Sequence, residues 1–266
     1  MSHAEVNGLS LYYEEHGAAS PGVPLVLLHG GLGSGEMFLP LLPELGKDRR
    51  VILVDLQGHG RTADIDRPLR AELMADDIAA LIGRLGVEQA DILGYSLGGK
   101  VALRTALQHP SLVRRLVVVS VPYRRDGWFP EVVATMDAMG PELAEPMKQS
   151  PAYASYAKNA PRPEDWPVLI GKIAEAQQEP FDWTSEIPGL TPPALLVYAD
   201  ADAIRPSHVV DFYALLGGGL RDPGWDGSGL RSTARLAVLP GCSHYDVLGS
   251  PALPAVALPF LDSPEE

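Results

Sequence analysis

Six short apolar runs restrict this chain to a small set of architectures. They are Leu25–Leu28, Val51–Val54, Asp91–Leu93, Leu116–Val119, Ala194–Tyr198 and Leu236–Leu239. A strand with one wet face alternates apolar and polar residues, and these runs do not alternate. Continuous runs of this length suit parallel strands covered by helices on both faces. Helical patterning lies between them, most clearly over 69–85, where Leu69, Leu73, Ile78, Leu81, Ile82 and Leu85 form an apolar stripe and Gly86 supplies a stop. Strand–helix alternation predicts an α/β fold, a doubly wound, mostly parallel sheet with right-handed crossovers. At the start of the chain, Val6-Asn7-Gly8-Leu9 predicts an Asn-Gly hairpin at one sheet edge.

The alternation fails over 122–188. This segment holds ten prolines, Trp128, Trp166 and Trp183, and Met136, Met139 and Met147. It reads as a helical cap inserted over the C-terminal edge of the sheet, with 1–121 and 189–266 forming the core. A glycine-rich stretch from Gly217 to Ser232, carrying Trp225, reads as a surface excursion. With 266 residues and 46% hydrophobic content the chain has ample material for a packed core, which excludes disorder. A net charge of −13 without a Lys/Arg cluster argues against nucleic acid and mildly disfavours strongly anionic ligands. The one cysteine, Cys242, excludes an internal disulfide framework and a Cys-based zinc site, and no metal is expected. Met1–Glu5 does not open a signal peptide, and no run reaches the ~18 apolar residues of a membrane span. A cytoplasmic protein that engages no membrane is the expectation, and oligomeric state is left open.

Gly94-Tyr95-Ser96-Leu97-Gly98-Gly99 follows one apolar run and opens a helical stretch, 97–109. A Gly-x-Ser-x-Gly between strand and helix reads as a turn that lifts a serine hydroxyl out of the sheet. Such a hydroxyl is a weak nucleophile until a base takes its proton and an acid orients the base. The base candidate is His244, after the last strand; the acid candidates are Asp202 and Asp200, after the preceding one. All sit at strand C-terminal ends, where open parallel sheets place ligands. His29-Gly30-Gly31-Leu32-Gly33 follows the first parallel run, so the amides of Gly31 and Leu97 are candidates for an oxyanion hole.

Together with Asp55-Leu56-Gln57-Gly58-His59-Gly60, these pieces make the chain resemble an α/β-hydrolase over nearly its whole length. The resemblance implies that fold, a cap between the sixth and seventh strands, and a serine mechanism without a cofactor. In that family the acid ends a Gly-Asp-x-Asp pattern, which implies Asp202; Ala199 replaces the glycine here and keeps Asp200 open. The remaining histidines read as structural: His29 shapes the oxyanion loop and His59 sits in a turn. His29, Tyr95, Trp128, Met136 and Trp183 are the expected substrate contacts. The expected activity is hydrolysis of small to medium, largely apolar carboxylic esters, a small-molecule substrate class. The same triad also serves lactonases, C–C bond hydrolases, perhydrolases and acyltransferases, and the fold also serves ligand-binding receptors. A C–C hydrolase acting on a dienoate needs cations for its substrate carboxylate; Arg124, Arg125, Lys148, Lys158, Arg162 and Lys172 are the cap's candidates.

Overall fold

A computed structural model describes residues 2–18, 22–225 and 232–264. Eight strands form one sheet in the order β1-β2-β4-β3-β5-β6-β7-β8. β1 (Ser2–Val6) and β2 (Leu9–Gly17) are the antiparallel hairpin at the edge, turned by Asn7 and Gly8 at φ 48° and 81°. Two successive left-handed residues are what a two-residue turn of this kind demands, and Asn-Gly meets that demand at least cost. β2 joins the rest of the sheet antiparallel to β4 (Arg50–Val54). From there every pairing is parallel, through β3 (Leu25–Leu28), β5 (Ala90–Tyr95), β6 (Val113–Val119), β7 (Ala194–Ala201) and β8 (Arg235–Ser243).

The apolar runs divide their side chains between two cores. Val26, Leu28, Ile52, Ile92, Val118 and Leu196 face one side, with α2 (Ala71–Arg84), α3 (Leu97–Gln108) and α7 (Pro206–Leu215) packed there. Leu25, Leu27, Val51, Leu93, Val117 and Val197 face the other, against α1 (Leu42–Leu45) and α8 (Ala252–Leu261). Side chains alternate along a strand, so a run apolar at every position requires cover on both faces. That is the arrangement found.

Between β6 and β7 the chain runs through α4 (Pro130–Asp137), α5 (Pro151–Asn159), α6 (Trp166–Gln178) and short 3-10 turns, with no strand among the described residues. Proline stands at the first or second position of all three helices, where its missing N–H costs nothing and its fixed φ favours the start. The prolines therefore segment this region without breaking its helices. α6 packs Trp166, Leu169, Ile170 and Ile173 inward, and the Trp166 indole donates to the Ala144 carbonyl at 2.8 Å. Of the glycine-rich excursion, Gly217–Trp225 is described and largely exposed, while residues 226–231 lie outside the described residues. No helix among the described residues is long and apolar enough to cross a membrane.

Gly98 anchors α3 against β3. Its N–H donates to the His29 carbonyl at 2.9 Å, and a Cβ there would be driven into the backbone carbonyls of Leu28 and His29. Gly98→Ala must separate helix from strand, an overpacking cost of about 3 kcal/mol. Thermal unfolding is expected to show a melting temperature lower by about 6–12 °C, given ~2–4 °C per kcal/mol for domains near this size. An unchanged midpoint would contradict the close approach.

Candidate active site

Ser96 lies between β5 and α3 at φ 51°, ψ −113°, a conformation that non-glycine residues rarely adopt. Its N–H donates to the Val119 carbonyl and its carbonyl accepts from the Lys100 N–H, each at 3.0 Å. Both neighbours of the turn are glycines for steric reasons: a Cβ on Gly94 would meet the Gly98 carbonyl. The hydroxyl is thereby directed away from the sheet, toward the loops that follow β7 and β8.

Those loops bring the partners. His244 Nε2 lies 3.2 Å from Ser96 Oγ, and its Nδ1 lies 3.0 Å from Asp202 Oδ1. The other Asp202 oxygen accepts from the Ser120 hydroxyl at 2.6 Å and from the Ala199 N–H at 3.1 Å. Burial alone would raise the Asp202 carboxyl, but the hydrogen bonds from His244 and Ser120 outweigh it and hold the group below its ordinary value. An ionised Asp202 requires a proton on Nδ1, which leaves the Nε2 lone pair facing the serine. Asp200 turns elsewhere, accepting from the Gly241 and Cys242 N–H groups at 3.0 and 3.3 Å and so tying the β8 loop to β7. Geometry therefore separates the two aspartates that the sequence left open.

Several supports had no sequence expectation. Ser120, at φ 56° just past β6, is one. Tyr95 is another: its hydroxyl donates to the His244 carbonyl at 2.6 Å, so this ring braces the imidazole's backbone in addition to lining the cavity. The indole of Trp128 meets His244 edge-on, with centroids 5.3 Å apart.

The amides of Gly31 and Leu97 have no acceptor within the protein among the described residues. The two residues are neighbours in space, since a Cβ added to Gly31 would lie 4.0 Å from the Leu97 side chain. Leu97 is also the first residue of α3, so the positive end of the helix dipole reinforces its N–H. Two free donors at the edge of a cavity suit a developing anion.

The cavity measures about 780 Å³ and runs from Ser96 and His244 under the cap helices. Trp128, Met136 and Trp183 line it, joined by Met139, Leu143, Met147, Ile173 and Phe181. His29 is a correction. It is fully buried and absent from the lining, its Nε2 accepts from the Leu56 N–H at 3.0 Å, and its Nδ1 contacts the Gly30 carbonyl at 2.7 Å. With both nitrogens occupied and no part of it in the lining, it braces the loop of residues 29–33. The cap cations are a second correction. Arg124, Arg125, Lys148, Lys158, Arg162 and Lys172 pair with Asp126, Asp137, Glu145, Glu36, Asp165 and Asp64, and none lines the cavity.

Comparison with known proteins agrees with this fold. A family model for the alpha/beta hydrolase fold matches residues 23–248. A candidate carbamate hydrolase, RutD, from Azorhizobium caulinodans is 30% identical over 225 residues, covering 79% of this chain and 83% of that protein. The 2-hydroxymuconate semialdehyde hydrolase of a Pseudomonas species is 37% identical over 102 residues, 37% of this chain and 36% of its own. Among solved structures, E-2-(acetamidomethylene)succinate hydrolase superposes with a TM-score of 0.74 at 23% identity, covering 98% of each chain.

Two expected outcomes follow from these contacts. Asp202→Asn leaves Nδ1 without an ionised partner, so labelling of Ser96 by a fluorophosphonate should slow by a factor on the order of 10³–10⁴. Asp200→Asn should leave labelling largely intact and lower the melting temperature by about 2–4 °C; equal losses of labelling in both variants would undo the assignment. The second concerns His29 and His59, whose ordinary value is 6.5. Burial pushes them down to about 4 and about 3, so both stay neutral when folded but take up protons when unfolded. Their contribution to stability is complete above pH ~6.5 and is lost as pH falls toward ~4 and below. Thermal unfolding measured across that window should show a falling midpoint, with a shallower slope in His59→Asn, which cannot titrate.

Proposed function

This chain belongs to the alpha/beta hydrolase fold family, and from that premise we propose that it is a serine hydrolase cleaving small to medium, largely apolar carboxylic esters through an acyl-enzyme. The observation that carries the reading is the unbroken path Ser96 Oγ–His244–Asp202, opening into a cavity lined by methionine, leucine and aromatic side chains. His244 Nε2 takes the hydroxyl proton as Oγ attacks the carbonyl carbon. The resulting oxyanion is held by the Gly31 and Leu97 N–H groups, each such donor being worth a factor of about 10²–10³. Collapse expels the alcohol, which receives the proton from His244. Water then attacks the acyl-enzyme by the same route, and Ser96 is restored.

Tyr95 and Trp128 act here as positioning residues, since they hold the His244 main chain and ring edge. Residues 122–188 serve as the lid that shapes the acyl site. It is tethered by Lys172, whose ammonium donates to Asp64 Oδ2, the Ile65 carbonyl and the Arg67 carbonyl at 2.6, 2.7 and 2.8 Å. Met136, Met139 and Met147 give that lid an adaptable apolar underside. Carbamate cleavage is the second reading, favoured by the RutD relative, because a carbamate offers Ser96 the same kind of carbonyl carbon.

A panel of 4-nitrophenyl esters of rising acyl length, with an aryl carbamate included, tests the assignment. Turnover of short and medium esters is expected, abolished in Ser96→Ala together with fluorophosphonate labelling. Absence of turnover across all short and medium esters refutes the esterase reading. Labelling without turnover of any member would instead indicate a receptor that keeps a competent nucleophile.

A further inference from the structure

Five charged residues line the cavity: Arg70, Glu72, Lys100, Glu131 and Glu179. Arg70 and Glu179 pair with each other, and Glu72 faces Arg104 at 3.6 Å. Glu131 lies exposed on α4. Lys100 differs from all of these. Among the described residues its ammonium has no hydrogen-bond or ion-pair partner, and its neighbour is the face of Phe181, with Nζ 3.9 Å from the ring centroid. Its side chain starts one helical turn beyond the nucleophile, since the Lys100 N–H donates to the Ser96 carbonyl. Helical side chains lean toward the N-terminus of their helix, which carries this one back toward Ser96.

We propose that Lys100 is a substrate-binding residue that receives a carboxylate at the end of the substrate remote from the scissile carbonyl, so that the ester cleaved is a monoanion such as a half-ester of a dicarboxylic acid. This rests on the ester reading above and refines it. An unpaired ammonium in a mainly apolar cavity is a costly arrangement unless a ligand supplies the missing acceptor. Burial accordingly draws Lys100 down to about 8, with the Arg125 charge adding to the effect and Glu72 opposing it. An incoming carboxylate satisfies the free N–H donors and offsets that desolvation, while the methylene chain occupies the methionine-lined space. A phosphate is the poorer fit. A dianion needs several converging donors, and among the described residues that line the cavity Lys100 is the one cation without an acidic partner, in the company of three glutamates.

Binding separates this proposal from the esterase reading, because it requires no turnover. Ser96→Ala protein is titrated with the monomethyl and the dimethyl esters of adipic, pimelic and suberic acids, reading the fluorescence of Trp128 and Trp183. The best monoanion is expected to bind about tenfold or more tighter than its neutral diester. That ratio should fall toward one in Ser96→Ala/Lys100→Met and persist when Lys100→Arg replaces Lys100→Met. In turnover, the same preference should appear mainly in KM, for mono-4-nitrophenyl adipate against 4-nitrophenyl hexanoate. Equal or weaker binding of every monoester, no detectable binding, or a preference that survives Lys100→Met overturns the assignment. Each of these results leaves the esterase reading to its own test.

Discussion

The strained turn at Ser96 is the constraint on which the rest of the site depends. A left-handed φ at a non-glycine residue costs of the order of 1–3 kcal/mol and persists only where surrounding structure enforces it. Here β3 and α3 enforce it: Gly98 lies against the Leu28 and His29 carbonyls, and Gly94 against Gly98. With helix and strand in such contact, the chain has no room to relax between residues 94 and 98. Three consequences follow from that one bend. The hydroxyl leaves the plane of the sheet, the Leu97 amide is left without an intrahelical acceptor, and the next helical turn presents Lys100 to the same cavity.

The partners are held by a separate set of contacts that converge from neighbouring strand ends. Ser120, also left-handed, leaves β6 with its N–H on the Val197 carbonyl and its hydroxyl on Asp202. Asp200 fixes the β8 loop through two backbone amides, and Tyr95 fixes it again through the His244 carbonyl. His244 is therefore located by three elements other than its own, which is how a loop residue gains the precision of a strand. Rigidity of this kind holds His244 Nε2 within 3.2 Å of Ser96 Oγ.

The parallel strands of the core, the hairpin and the elbow were legible because each has a local cause: an apolar run covered twice, an Asn-Gly turn, glycines around a bend. His244 was legible by position at a strand end, whereas position left Asp202 and Asp200 both open, and the choice of Asp202 was implied by resemblance before geometry displayed the pair. What the sequence concealed was contact across elements. His29 was expected to touch substrate, yet its ring is filled by the Leu56 and Gly30 backbones, partners that only the folded loops bring near. Ser120 carries no motif, and its role depends on β6 and β7 being neighbours. Lys100 had a faint signal, four residues beyond the nucleophile on the same helix, but its lack of a partner is visible only once every acid around it is placed.

Charge illustrates why composition misleads about ligands. A net charge of −13 sets the field at long range and slows the approach of an anion. Screening, however, confines that field to roughly 8–10 Å at physiological ionic strength. Inside the cavity only the nearest groups count, and there the balance depends on which side chains have already found partners. The six cap cations that promised to attract a carboxylate are already paired with acids: Lys172 with the largely buried Asp64, where it tethers the cap, and the other five in more exposed pairs that contribute little beyond the geometry of the cap. Among the described residues that line the cavity, the ammonium without an acidic partner is that of Lys100, on the helix that the elbow itself launches. Recognition and chemistry then share a single rigid element, so a ligand anchored at Lys100 is positioned relative to Ser96 by helix geometry and not by the adaptable lid.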